Sequence, residues 1–233
     1  MDPECSRLVD LAADIAASGR WEAINAKIEK LAANPGPDNG WYVQVLAGLC
    51  FHSFSEYLGL KRAYERNDKG DDASLLAWRA RNLQELSVWS IYCVKNRDNA
   101  RRFYEDAGRD VLGVFNSFTK WGAQTGENAA WIDSLEKAKH GLKTRAGAEG
   151  IASLEGHYTL VSNAAKECGL GDMFPVSYKL LSKLAHPTAM RILASPDDAK
   201  DILQKDLFFS QGCLFFTGAF EYLERHLIAE HYE

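Results

Sequence analysis

The chain has 233 residues, of which 46% are hydrophobic and 11% aromatic, so it can bury one sizeable core. Its 27 basic and 32 acidic residues give a net charge of -5, and we therefore expect no nucleic-acid partner. The five cysteines lie far apart and form no CxxC pair, which argues against a disulfide framework and against a zinc knuckle.

Neither end of the chain carries the pattern of a membrane or export segment. The first ten residues are acidic where a signal peptide is basic, and no apolar segment follows them. The strongly apolar segment 207–223 is shorter than the roughly 20 apolar residues that a membrane-spanning helix needs. It also contains Gln211 and Glu221. We therefore expect a cytoplasmic protein without a membrane span.

The first predicted elements are two helices at the N-terminus. Residues 2–4 combine an Asp cap, an N1 proline and a first-turn acid, and the second helix ends at about Asn34. The segment 34–40 contains two prolines and two glycines and is the clearest linker. The sequence thus predicts an N-terminal helical hairpin, residues 1–34, followed by a main helical domain, residues 41–233.

Seven further helices are predicted in the main domain from Gly, Pro, Asn and Asp punctuation. They cover about Trp41–Arg66, Ala73–Lys95, Asn99–Gln124, Glu127–Thr144, Tyr158–Cys168, Pro175–His186 and Ser195 to the C-terminus. No segment alternates apolar and polar residues between hairpin turns, so no strand is predicted. The predicted fold class is all-α, an up-and-down helical bundle with an N-terminal helical hairpin.

The predicted helix 175–186 carries polar residues on the face that we expect to be buried. Tyr178, Ser182 and His186 are four residues apart and form one stripe. Buried hydroxyl and imidazole groups need hydrogen-bond partners. Pro187 stops the helix, so His186 is predicted to lie at its C-terminus, facing inward.

Partners for this stripe are predicted on the helix 73–95. Arg81 and Glu85 are four residues apart, and a carboxylate there could accept from both a guanidinium and the His186 ring. We expect His186 to touch Glu85, Arg81 or both. The cluster could be a structural network that fixes helix register, or it could line a ligand pocket. In a catalytic version His186 would be the acid–base, Glu85 would orient it and Arg81 would bind an anionic group.

Three segments, in chain order, carry a resemblance to known proteins: RARNLQELSVWSIY, NARRFYEDAGRDV and YKLLSKLAHPTA. They resemble an uncharacterised group of bacterial all-helical proteins that is loosely related to the HEPN superfamily. The resemblance spans about residues 74–189 and implies an all-helical fold. HEPN proteins include RNA-cleaving toxins and non-catalytic helical modules. The catalytic members carry Arg, a polar residue, a short spacer and His on one helix. RNLQEL begins in this way, but no histidine follows at the right distance.

An arrangement of Arg, polar residue, spacer and His does occur at the C-terminus, from Arg225 to His231. It indicates the alternative function, a HEPN-like ribonuclease.

Basic residues near the start of the helix 99–124 could also bind an anion, although a solvated charged face is the more usual explanation. They are Lys95, Arg97, Arg101 and Arg102.

The pairs His52/Glu56 and His226/Glu230 have the spacing of helical metal ligands. Repeated Glu-x-x-His pairs are missing, so we expect no metal and no cofactor. Aromatic residues at helical spacings favour core or dimer packing over a cofactor site.

We interpret the chain as an intracellular helical interaction or small-ligand-binding module with a buried Arg/Glu/His cluster. We expect a homo-oligomer, because aromatic residues lie on more than one helix face, and a protein partner is also compatible with such faces.

Overall fold

The computed structural model describes residues 2–36, 39–66, 73–126, 128–151, 153–156, 158–186 and 198–229. Within these ranges the regular structure is helical and contains no strand. This confirms the predicted all-α helical bundle. The predicted start signals at residues 67–72 and 195–197 lie outside the described residues.

The described part of the chain forms nine α-helices and a short π-helical turn. They are α1 (Pro3–Ala17), α2 (Arg20–Ala33), α3 (Gly40–Arg66), α4 (Ala73–Lys95), α5 (Arg97–Thr125), α6 (Ala129–Ala148), α7 (Val161–Glu167), α8 (Phe174–Ala185), α9 (Asp198–Glu224) and the π-helical turn Arg225–Ala229.

Side-chain caps define three of the helix starts. Asp2, Asn96 and Asn128 each accept a hydrogen bond from the backbone N–H two residues further on. These bonds satisfy N–H groups that have no partner within the helix. Gly19 lies between α1 and α2 and has a φ of 76°. This left-handed backbone conformation is rarely adopted by residues that have a side chain.

The helix α4 lies at the centre of the core and packs against α3, α8 and α9. Leu76, Leu83 and Tyr92 on α4 are fully buried. Tyr57 of α3 stacks on Phe216 of α9 with ring centroids 4.2 Å apart. Because these helices cover α4 on most sides, several polar residues of α4 lie at contacts between helices rather than in open solvent.

A glycine allows α9 to approach α3 closely. A Cβ atom built on Gly212 would overlap Cδ2 of Leu60, which is fully buried.

No described helix has the combination of length and hydropathy that a membrane span requires.

The two N-terminal helices pack on the same core as the rest of the chain. Ala12, Ile15 and Ile24 belong to the buried cluster that includes α3, α4 and α9. Arg20 binds Glu224 at the end of α9 through two hydrogen bonds, with Nε 2.8 Å from Oε1. The division into two domains at residues 34–41 stays a prediction.

The helices α5 and α6 form a second, smaller core away from the main one. Leu112 of α5 packs with Ala146, Ile151 and Leu154. The predicted helix ends at about Thr144, but α6 continues through Ala148 and includes Ala146. The buried contact of Ala146 explains why the helix extends further than its local signals indicate.

Candidate functional site

Arg81 is the centre of the polar cluster that the sequence predicted between α4 and α8. Its Nη2 atom lies 2.7 Å from the hydroxyl of Tyr178 and 3.0 Å from Oε1 of Glu85. Its Nη1 atom lies 3.1 Å from Nε2 of His186. The guanidinium carbon also lies 4.9 Å from the centroid of the Tyr178 ring. The structure therefore brings four of the five predicted residues together around one arginine.

The prediction that His186 faces inward is wrong, because this residue is exposed. The helix α8 ends at Ala185, and His186 has an extended backbone with φ -106° and ψ 155°. His186 still contacts Arg81, as predicted, but it does so from the surface. The cluster as a whole is less buried than predicted, since Arg81 and Glu85 are both partly exposed.

Ser182, the fifth predicted residue, is not joined to the cluster by a hydrogen bond. Its hydroxyl is buried and has no partner among the described residues. The two Nη atoms of Arg81 are meanwhile occupied by Tyr178, Glu85 and His186. This arrangement favours a structural network over an open site for an anion.

An apolar groove lies beside this cluster, with α4 as its floor and α8 and α9 as its walls. Its volume is about 620 Å³, which is within the range of small-molecule sites. Its lining is mostly aliphatic and aromatic: Gln84, Ser87, Val88, Ile91, Leu170, Asp172, Met173, Phe174, Val176, Ser177, Leu180, Gln211, Leu214, Phe215 and Gly218.

Two glutamine residues of the groove lining carry unpartnered acceptors that lie beneath the groove surface. Gln84 is only 3% exposed. Its Nε2 donates to Oγ of Ser177 at 2.5 Å and to the carbonyl oxygen of Phe174 at 3.4 Å. The Oε1 atoms of Gln84 and of Gln211 are buried without a partner among the described residues. An unsatisfied buried acceptor costs roughly 1–3 kcal/mol, so a donor from outside the chain would be favourable here.

Sequence reasoning missed both glutamines although it came close to each. Gln84 is adjacent to Glu85, and Ser177, which orients it, is adjacent to Tyr178. Gln211 entered only as an argument against a membrane span. The signal that could have found them is a polar amide within an apolar helix that has no exposed face to carry it.

The C-terminal Arg–His arrangement is only partly described. Arg225 lies in the π-helical turn, with its guanidinium carbon 5.8 Å from the centroid of the Tyr222 ring. It shares a surface hollow with Arg20, Glu221 and Glu224. His231 lies outside the described residues. The hollow thus contains two acids beside its two arginines and is not strongly basic.

Three of the four basic residues near the start of α5 make contacts within the chain. Lys95 and Arg101 donate to backbone carbonyl oxygens at 2.5 Å and 2.6 Å. Arg97 donates to the side chain of Asn39 and lies over the Trp41 ring. These contacts favour a packing role over an anion site.

Metal-binding residues do not cluster in the described part of the chain, where no group of three His, Cys, Asp or Glu side chains is placed to hold an ion. Glu56, the carboxylate of the predicted His52/Glu56 pair, accepts a hydrogen bond from Nη1 of Arg79 at 3.0 Å.

Burial raises the pKa of the Cys50 and Cys213 thiols to about 12, so these thiols stay protonated at neutral pH.

The protein is thus an all-α helical bundle, and its apolar groove has the volume of a small-molecule site. Residues 68–201, more than half of the chain, match the family of unknown function (DUF5677), and the chain belongs to this family. This confirms an uncharacterised family over the region that carries the resemblance. The match includes α4 to α8 and the first residues of α9, whereas the groove residues Gln211–Gly218 follow it. No curated protein and no solved structure matches the chain.

Proposed function

We propose that the chain is a cytoplasmic helical protein that binds a small amphipathic ligand in the groove between α4, α8 and α9. The observation that carries this proposal is the pair of buried, unpartnered Oε1 atoms of Gln84 and Gln211 in an apolar groove. A ligand with an apolar body and an O–H or N–H group would cover the lining and supply the missing donor.

The charge of the groove narrows the class of ligand. Asp172 is the charged residue among the described lining residues, and Arg81 is not part of the lining. A carboxylate or phosphate would therefore meet a negative charge and no cationic side chain among the described lining residues. We infer that the ligand is neutral or cationic, for example an alcohol, an amide or an amine.

The chemistry of the lining favours binding over catalysis. The described residues of the groove include no His, Lys or Cys that could act as a base or nucleophile at neutral pH. The Ser177 hydroxyl is close to the amide of Gln84, which cannot remove its proton. Asp172 is the described lining residue that could accept a proton, and the other polar groups of the lining can orient a ligand but not act as a base.

A displacement experiment tests the site. Nile red, a neutral apolar dye, should bind saturably and fluoresce, and 1-octanol and n-octylamine should displace it more effectively than octanoate. Leu214→Arg should abolish dye binding, because Leu214 lines the groove and is 43% exposed.

Leu207→Arg is the matched control, since Leu207 lies on the same helix, is 39% exposed and is not part of the lining. Dye binding should survive in this variant. Loss of binding in both variants or in neither, with the helical circular dichroism spectrum unchanged, would place the dye elsewhere and overturn the proposal. Preferential displacement by octanoate would overturn the inferred ligand class.

The HEPN-like ribonuclease is the alternative that the C-terminal motif raises. The acids beside Arg225 oppose a phosphodiester substrate, so we expect the purified protein to leave single-stranded RNA intact. The check is incubation of labelled RNA with the protein and with the Arg225→Ala and His231→Ala variants. Cleavage that both substitutions abolish in folded protein would establish the ribonuclease and displace the binding proposal as the main function.

A further inference from the structure

The helix α5 carries a stripe of mostly apolar residues with heptad spacing, and this stripe extends beyond the part of α5 that packs on the main core. The stripe has alternating spacings of four and three residues: Ala100, Tyr104, Ala107, Val111, Val114, Phe118, Trp121 and Thr125. Ala100 is fully buried and Tyr104 packs on the main core. Such a stripe is typical of a helix that packs along its length against another helix.

The later part of this stripe has no such cover among the described residues. Val111, Val114, Phe118 and Trp121, which we call the α5 seam, are between 42% and 52% exposed. The Trp131 ring of α6 contacts Phe118 and Trp121 edge-on, at centroid distances of 6.4 Å and 6.0 Å. The α5–α6 hairpin therefore presents an open apolar face beside its own small core.

We propose that the α5 seam is the contact surface of a homodimer in which α5 of a second copy lies antiparallel to α5 of the first. This inference does not depend on the ligand groove, which lies on other helices.

The order of side chains in the seam is self-complementary in this orientation. A two-fold axis between Val114 and Phe118 places Val111 of one copy against Trp121 of the other, and Val114 against Phe118. Each layer then pairs a small residue with a large aromatic one, as close packing requires. A parallel pairing would instead set Trp121 against Trp121 and Val111 against Val111, which overfills one layer and leaves another loose.

The charges beside the seam agree with the antiparallel orientation. Asp110, Ser117 and Gln124 flank it at intervals of seven residues. In the antiparallel pair Asp110 lies opposite Gln124, whose amide can donate to the carboxylate. The two copies of Asp110 are then about 20 Å apart, from the 1.5 Å rise per residue of a helix.

The exposed area fits the apolar centre of a dimer interface. The four side chains leave roughly 400 Å² uncovered per copy, given the ~150–250 Å² that a large aromatic side chain can bury. A standard interface buries about 800 Å² per partner, so the polar residues of α5 and α6 would complete it. Two α5–α6 hairpins joined in this way form an antiparallel four-helix bundle.

Light scattering coupled to size exclusion, at micromolar concentration, tests the dimer directly. The protein should elute with twice the 26.0 kDa mass of one chain. Val114→Lys and Phe118→Glu should each weaken dimerisation by about tenfold or more, because each buries a charge against an apolar residue of the other copy. Phe51→Glu is the matched control, since Phe51 lies on α3, is 60% exposed and is part of neither the seam nor the groove, and this variant should leave the mass unchanged.

Mixing the two seam variants tests the orientation. In the antiparallel pair the lysine introduced at position 114 of one chain faces the glutamate introduced at position 118 of the other. An equimolar mixture of the two variants should therefore recover the dimer. A 26.0 kDa particle for the unmodified chain would overturn the proposal. So would dimers that persist in both seam variants, a Phe51→Glu monomer, or a mixture that stays monomeric.

Discussion

At the residue scale, the polar cluster is organised by Arg81 rather than by the carboxylate that the sequence favoured. Arg81 contacts Tyr178, Glu85 and His186, whereas His186 lies at the surface. The stability of the α4–α8 contact should therefore depend more on the guanidinium than on any of its partners.

Alanine substitutions test whether Arg81 contributes more to stability than its partners do. Arg81→Ala should lower the free energy of unfolding by about 1–3 kcal/mol, because it removes several bonds and the ring contact at once. Glu85→Ala should cost only about 1 kcal/mol, since water screens a partly exposed ion pair. His186→Ala should change it by less than about 0.5 kcal/mol. Urea unfolding curves measure all three, and a cost for His186→Ala as large as that for Arg81→Ala would contradict the account.

The spacing of polar residues predicted part of this site and missed the rest for a physical reason. Four-residue periodicity correctly placed Arg81 and Tyr178 on facing helices. It also placed His186 beside Arg81, but it wrongly put this residue in the interior, because the helix ends at Ala185 and His186 has an extended backbone at the surface. It also passed over Gln84 and Gln211, since periodicity does not show which side chain lacks a partner until the neighbouring helices are in place.

At the element scale, the packing of α9 on α3 depends on the missing side chain of Gly212. Gly212→Ala should lower the free energy of unfolding by about 1–3 kcal/mol, because the new methyl group overlaps buried Leu60.

Gly48→Ala is the control in α3, where nothing lies within 4 Å of the new Cβ. It should raise the free energy of unfolding by about 0.5–1 kcal/mol through helix propensity alone. Thermal or urea unfolding of both variants measures these effects. If the free energy of unfolding changed in the same direction in both, close approach at Gly212 would not control the α9–α3 contact.

The start of α1 was predictable from local signals, whereas the end of α6 was not. Asp2 caps α1 as its sequence indicates, through a local bond that needs no tertiary contact. The end of α6 depends instead on Ala146, which is buried against residues that arrive later in the chain. Local signals cannot report such a contact, and the predicted helix was therefore too short.

At the scale of the whole molecule, one buried and two partly buried tyrosines are expected to lower the stability of the fold at high pH. Burial raises the pKa of Tyr57, Tyr64 and Tyr104 to about 12, from an ordinary value of 10.0. Hydrogen bonds to Asp206 and Glu149 add to the effect at Tyr64 and Tyr104. The folded state therefore holds protons that the unfolded state has already released in this range.

The free energy of unfolding should accordingly be unaffected by these groups below pH 10 and should fall as the pH rises from about 10 to about 12. Absorbance at 295 nm should show a subset of the nine tyrosines ionising late, together with the loss of helical circular dichroism. Ionisation of all tyrosines near pH 10 while the helices remain intact would contradict the burial described for these side chains.

The central claim is that the amide oxygens of the groove recognise a donor on an amphipathic ligand. Gln211→Leu tests it, because this change keeps the shape of the apolar wall but removes one acceptor. The decisive measurement is the dissociation constant of 1-octanol, obtained by displacement of Nile red, for the unmodified chain and for this variant. We predict that octanol binds about five- to tenfold more weakly to Gln211→Leu while Nile red binds equally well, as expected for the loss of one hydrogen bond. Equal octanol affinity in the two proteins would contradict the claim.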